Sequence, residues 1–200
     1  MLINYPDESY NSSYLTIIHN VINDAINSLS RIIAIRVDLR FPYSSNDIPS
    51  NNKVMTRFIE SLKAKLISDT RRKEKTWGRR LNNPLHYVWV REYGERNKQK
   101  HYHLLLLLNK DIYYTLGRYN ESDNSLSSII QSAWCSALNI NYPANASLVH
   151  FTEHGKYYLD RNSPSFKQDV DSLLTRVKYL AKHHTKDYND AYRSIGYNSL

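Results

Sequence analysis

The chain has 200 residues, of which 41% are hydrophobic and 12% aromatic, and it carries a net charge of +8 with an isoelectric point near 9.4. That apolar content suffices for one buried core and excludes a disordered polyelectrolyte, while the single cysteine, Cys135, excludes an internal disulfide framework. The longest purely aliphatic run, Leu104 to Leu108, falls far short of the ~20 residues that span a bilayer, and the N-terminus lacks a basic leader, so a soluble cytoplasmic protein without membrane partners is expected.

The positive balance points to a polyanionic partner, because each phosphate neutralised by Lys or Arg releases condensed counterion. Five glycines give no phosphate-cradling loop of the nucleotide-binding type, whereas seventeen tyrosines offer stacking surfaces for unpaired bases. One domain over 1–200 is expected, with a helical segment at 1–30, a core at 31–184 and a tail at 185–200.

Leu15, Ile18, Ile22, Ala25, Ile26 and Leu29 recur at helical spacing, so 12–30 reads as a helix with Ser12 or Ser13 as its N-cap. The β-branched run Ile32 to Arg40, stopped by Phe41-Pro42, reads as a strand, on which Arg36 and Asp38 share one face. That pair reads equally well as a solvated strand face or as part of a site. After a polar turn, Val54, Met55, Phe58, Ile59, Leu62, Leu66 and Ile67 mark a second amphipathic helix. It runs into the densest basic stretch of the chain. Arg71, Arg72, Lys73, Lys75, Arg79 and Arg80 surround Trp77, a composition suited to DNA-backbone contact and equally to a solvated face.

His86 to Glu92 reads as the next strand, and a basic loop that turns at Gly94 and carries Lys98 and Lys100 leads into a strand beginning His101-Tyr102-His103. Side chains alternate faces in a strand, so His101 and His103 share a face that Tyr102 does not. Symmetric closure of the loop places Glu92 opposite one of these histidines, which assembles two imidazoles and a carboxylate into an open divalent-metal site. Ile129, Ile130, Ala133, Trp134, Ala137 and Leu138 mark a further helix, and Ser147 to Thr152 a short edge strand whose His150 is a weaker ligand candidate. The last helix, 169–184, carries an apolar stripe of Val170, Leu173, Leu174, Val177 and Leu180. Tyr179 and Lys182 lie off that stripe, a phenol beside a cation or simply an exposed tyrosine.

This order of strands and helices, with Glu92, His101-Tyr102-His103 and Tyr179-Leu180-Ala181-Lys182, resembles the HUH endonucleases, and most nearly the inovirus-type replication initiators of filamentous phages and prophages. The likeness covers most of 31–199, including Ile35 to Pro42 and, more loosely, the ending Arg193 to Ser199. Tyr102 stands where the family usually carries a bulky hydrophobic residue. His183 stands one turn after Tyr179 where a second tyrosine would sit, which leaves Tyr188 and Tyr192 farther along. The resemblance implies an α+β fold, a central antiparallel sheet of four to five strands (an HUH or RRM-like palm) with helices packed on it. It implies Mg2+ or Mn2+ on His101, His103 and Glu92, and Tyr179 as nucleophile assisted by Lys182. The product would be a 5′-phosphotyrosyl enzyme and a free 3′-hydroxyl, made on a single-stranded origin or hairpin to start rolling-circle replication of a phage, prophage or plasmid. Unwinding would then need a partner such as a host helicase, because the chain lacks a helicase-type phosphate loop. Three readings compete: a single-tyrosine transposase or relaxase of the same chemistry, a non-catalytic DNA-binding regulator, and a basic domain whose histidines merely line a core.

Overall fold

The computed structural model describes residues 10–42, 53–94, 99–118, 124–182 and 193–198. Among them, α1 (Ser12–Ser28) leads into β1 (Arg31–Arg40), then α2 (Lys53–Trp77), β2 (His86–Tyr93), β3 (Lys100–Asn109), α3 (Leu126–Leu138), β4 (Val149–Asp160), α4 (Phe166–Val177) and β5 (Ile195–Tyr197). The strands form one antiparallel sheet in the order β4-β1-β3-β2-β5, with helices on both faces. The fold is therefore the expected α+β class.

The five leucines explain the layering. β3 is central and covered on both sides, so its side chains alternate between two apolar layers and its sequence reads as an unbroken aliphatic run. Leu104, Leu106 and Leu108 enter the layer beneath α2 and α3, with Phe58, Leu62, Ile130 and Trp134. Leu105 and Leu107 enter the other, with Ile18, Ile22 and Ala25 of α1 and Leu173 and Val177 of α4. Tyr102 points into the first layer, edge-on to Trp89 at 5.5 Å, and its ring is 2% exposed. His101 and His103 are thereby committed to the α1/α4 face.

Five local features depart from the sequence reading. Asn11, not Ser12 or Ser13, caps α1, accepting from the Tyr14 N–H at 3.1 Å. α2 continues through the basic stretch to Trp77, because Asp69 holds Arg72 and Lys73 one turn on at 2.5 and 3.0 Å and keeps that turn helical. β4 runs on to Asp160 as an edge strand; its second half pairs with the start of β1, Tyr157 opposite Ala34. α4 ends at Val177 and tightens into a 3-10 turn, Lys178–Ala181. Residues 195–197 join the sheet as β5, with Gly196 opposite Trp89. A Cβ at Gly196 would lie 2.3 Å from the indole, so the strand can approach β2 only because that position has no side chain.

Candidate metal centre

β2 and β3 pair with Glu92 opposite His101, one of the two registers expected from the loop, and β1 adds Asp38 opposite His103. All four side chains project to the α1/α4 face at one end of the sheet. Glu92 is 1% exposed and His103 6%, so these polar groups are withdrawn from water and must satisfy one another. They do so in an ordered way. His103 Nδ1 lies 2.5 Å from Asp38 Oδ1, and because a carboxylate only accepts, this nitrogen donates. His101 Nδ1 donates to the Gln99 carbonyl at 3.3 Å. Both imidazoles are thus anchored through Nδ1 and turn Nε2 inward.

The inward atoms converge. The two Nε2 atoms are 3.2 Å apart, and Glu92 Oε2 is 3.1 Å from His103 Nε2 and 3.9 Å from His101 Nε2. One ligand atom from each residue lies within 4.8 Å of the others. Lone pairs facing a carboxylate at such distances repel unless a positive charge sits among them, either a proton or a cation. Burial alone would depress the His103 pKa, but hydrogen bonds to Asp38 and Glu92 overcome it and raise it, the proton-filled version of this arrangement. Burial and the neighbouring His103 charge lower that of His101. Burial would raise Asp38, yet its bond to His103 and the nearby Arg36 and His150 hold it below the usual carboxylate range. Two nitrogens and a carboxylate oxygen, with each imidazole oriented by an outer acceptor, fit a divalent cation. His150 stands outside the ligand set, its Nδ1 3.7 Å from Asp38 Oδ2 on the half-exposed edge strand.

Tyr179 reaches the same place. Its ring meets His103 edge-on with centroids 5.9 Å apart. The 3-10 turn gives three residues per turn, so residues i and i+3 eclipse, and Lys182 falls over the Tyr179 ring at 4.7 Å. Arg36 covers it at 5.0 Å from the ring centroid. The β1–β4 register breaks between Ile35 and Val37, so Arg36 sits where the edge strand bulges away. Tyr179 is half-buried against the site, not the exposed surface residue that helical spacing alone allows.

The basic stretch of α2 lies elsewhere. α2 packs on the opposite face of the sheet, and Lys73 donates to the Ile112 carbonyl just beyond the far end of β3. Six residues of strand separate His103 from Asn109, ~20 Å at the usual rise. Arg72 and Lys73 are engaged by Asp69, whereas Arg71, Lys75, Trp77, Arg79 and Arg80 are exposed. Lys100 packs over Phe41 on the α2/α3 side at 5.1 Å, and Lys98, Tyr188 and Tyr192 lie outside the described residues. Asp38 and Arg36 are the residues the sequence left undecided. Their signal was two charges at period two in an otherwise apolar strand, but only the pairing of β1 with β3 brings them to the histidines.

The YagK/YfjJ C-terminal domain family matches residues 3–198. Uncharacterized protein YagK of Escherichia coli (strain K12) is 42% identical over 177 residues, covering 85% of this chain and 84% of that protein. Uncharacterized protein YfjJ of the same organism is 36% identical over 197 residues, covering 94% of each. No solved structure matches. Among the described residues no helix is long and apolar enough to cross a membrane.

Proposed function

The chain belongs to the YagK/YfjJ C-terminal domain family, and we propose that it is a metal-dependent, site-specific endonuclease that nicks and rejoins single-stranded DNA to initiate rolling-circle replication of a phage, prophage or plasmid. The observation that carries this reading is a tyrosine placed edge-on to a two-histidine, one-carboxylate cluster under two cations. The metal is proposed to be Mg2+ or Mn2+, since a carboxylate and open positions suit harder ions; bound to His101, His103 and Glu92, it supplies Lewis-acid polarisation of the scissile phosphate.

The chain's own residues do the rest. The Tyr179 phenolic oxygen attacks phosphorus, a P–O bond to it forms, and the bond to the 3′-oxygen breaks. The phenolic proton leaves to solvent and the departing oxygen takes one up as a free 3′-hydroxyl. A tyrosine with an ordinary pKa of about 10 is a weak nucleophile at neutral pH. Lys182 and Arg36, both within 5.0 Å of the ring centroid, favour negative charge on it and on the transferring group. The phosphodiester energy is kept in the tyrosyl link, so a returning 3′-hydroxyl can reseal the strand. Arg71, Lys75, Trp77, Arg79 and Arg80 lie on the other face, which suits a DNA segment distinct from the one being cut. A transposase or relaxase would share this chemistry. A non-catalytic DNA-binding regulator would have no use for the tyrosine and the metal ligands together.

The test is covalent capture. Incubation with a single-stranded DNA library and Mn2+ should give a tyrosyl-DNA peptide at Tyr179 by mass spectrometry, and Tyr179→Phe should lose the adduct while still binding DNA. An adduct at another tyrosine, or one that forms equally in chelator, would overturn the assignment.

A further inference from the structure

Beyond the metal centre, α4 and β4 leave between them an open groove of about 910 Å³ that begins at Tyr179. Lys167, Asp171, Thr175 and Arg176 recur along one face of α4 and form one wall, and Tyr157 of β4 forms the other. Arg36 and Lys182 lie at the Tyr179 end. Four cations therefore line the groove against a single carboxylate, Asp171.

Arg36 is the informative residue. Its Nε is buried with no hydrogen-bond partner, and Asp38 Oδ1, at 3.7 Å, is too far to accept from it. That nitrogen faces the interior, so Asp38 meets the guanidinium only as a charge; the same side chain lines the groove, where an anion's oxygen can accept a charge-assisted hydrogen bond from its other N–H groups. Phosphate suits the position, because the same guanidinium overlies the Tyr179 ring. Lys167 and Arg176 are exposed on α4, where they can meet further phosphates, and the half-buried Tyr157 presents an aromatic surface within the same groove.

We propose that this groove holds the unpaired DNA strand on one side of the phosphate attacked by Tyr179, with Arg36 on that phosphate, Lys167 and Arg176 on its neighbours, and Tyr157 stacked on a base. The proposal rests on the nicking reading for the identity of the strand, but its test does not need cleavage. Fluorescence anisotropy of a labelled single-stranded oligonucleotide, measured in EDTA, compares the wild type with Lys167→Gln/Arg176→Gln. Both residues are on the surface, so circular dichroism should be unchanged. Losing two phosphate contacts makes the slope of log affinity against log salt shallower by about 1.4, equivalent to a loss of about 25-fold at ~0.1 M salt. Tyr157→Ala should weaken binding without changing the slope. Affinity within about twofold of wild type, with an unchanged slope in the double variant, overturns the groove. Tyrosyl-adduct formation is followed in parallel with Mn2+. Groove-dependent binding with no adduct at Tyr179 supports the groove and refutes nicking. Adduct formation by the double variant at the wild-type rate and affinity refutes the groove and leaves nicking intact.

Discussion

Replacement of Asp38 isolates the interaction that orients His103. Asp38 is 8% exposed, and its carboxylate accepts from His103 Nδ1 at 2.5 Å, a short charge-assisted bond. It fixes the ring so that Nε2 faces Glu92 and His101, and its negative charge makes that nitrogen a better donor to a cation. Losing such an outer partner typically costs 10–100-fold in metal affinity, or about 1.4–2.8 kcal/mol. The two obvious substitutions should divide that range. Asp38→Asn keeps an acceptor oxygen and removes only the charge, so a loss of about 10-fold is expected; Asp38→Ala leaves a buried N–H unpaired and should approach ~100-fold. Isothermal titration with Mn2+ at fixed pH measures both, with melting in EDTA to confirm that each variant is folded. Equal affinities for wild type and Asp38→Ala would show that Asp38 does not orient a ligand. A wild type that does not bind Mn2+ would remove the metal centre altogether.

Two further predictions concern the fold. Asp69 is 7% exposed and accepts from Arg72, Lys73 and the Tyr113 hydroxyl at 2.5, 3.0 and 2.8 Å. Burial alone would raise its pKa, and these three bonds outweigh it and leave it lowered from 3.8. A depressed carboxylate contributes stability above its unfolded pKa and loses it as pH falls through the folded one. Asp69→Asn should therefore cost about 2–3 kcal/mol near neutral pH, with the gap to wild type narrowing below pH ~4 in urea titrations; a gap constant down to pH ~3 would contradict the ion-pair account. Gly196→Ala forces a methyl group against the Trp89 indole and should cost about 1–3 kcal/mol as β5 is pushed from β2, read as a lower urea midpoint. Unchanged stability would mean that β5 contributes little to the sheet.

Much of the site was legible because strand periodicity is strict. Two histidines at i and i+2 must share a face, and symmetric closure of the hairpin loop sets Glu92 against one of them, which the strand pairing resolves to His101. The five leucines identified a buried central strand, but leucine on both faces is compatible with the histidines facing either way. Only the packing of α1 and α4 on one side and α2 and α3 on the other settles that the histidines lie with Val90 and Leu105 while the basic end of α2 lies behind the sheet. Contacts between residues distant in sequence were equally out of reach. Asp38 meets His103 across the β1–β3 pairing, Arg36 meets Tyr179 where the β4 register breaks, and Tyr197 pairs with Val88 across more than a hundred residues. Helical spacing carried to residue 184 put Tyr179 on a polar face, whereas the tighter 3-10 turn sets it against His103 and stacks Lys182 over it. Local periodicity thus determined which ligands could stand together. Which cationic side chains and which tyrosine stand beside them is decided by strand order and by the turn that ends α4, because those contacts are made through space and leave no period in the chain.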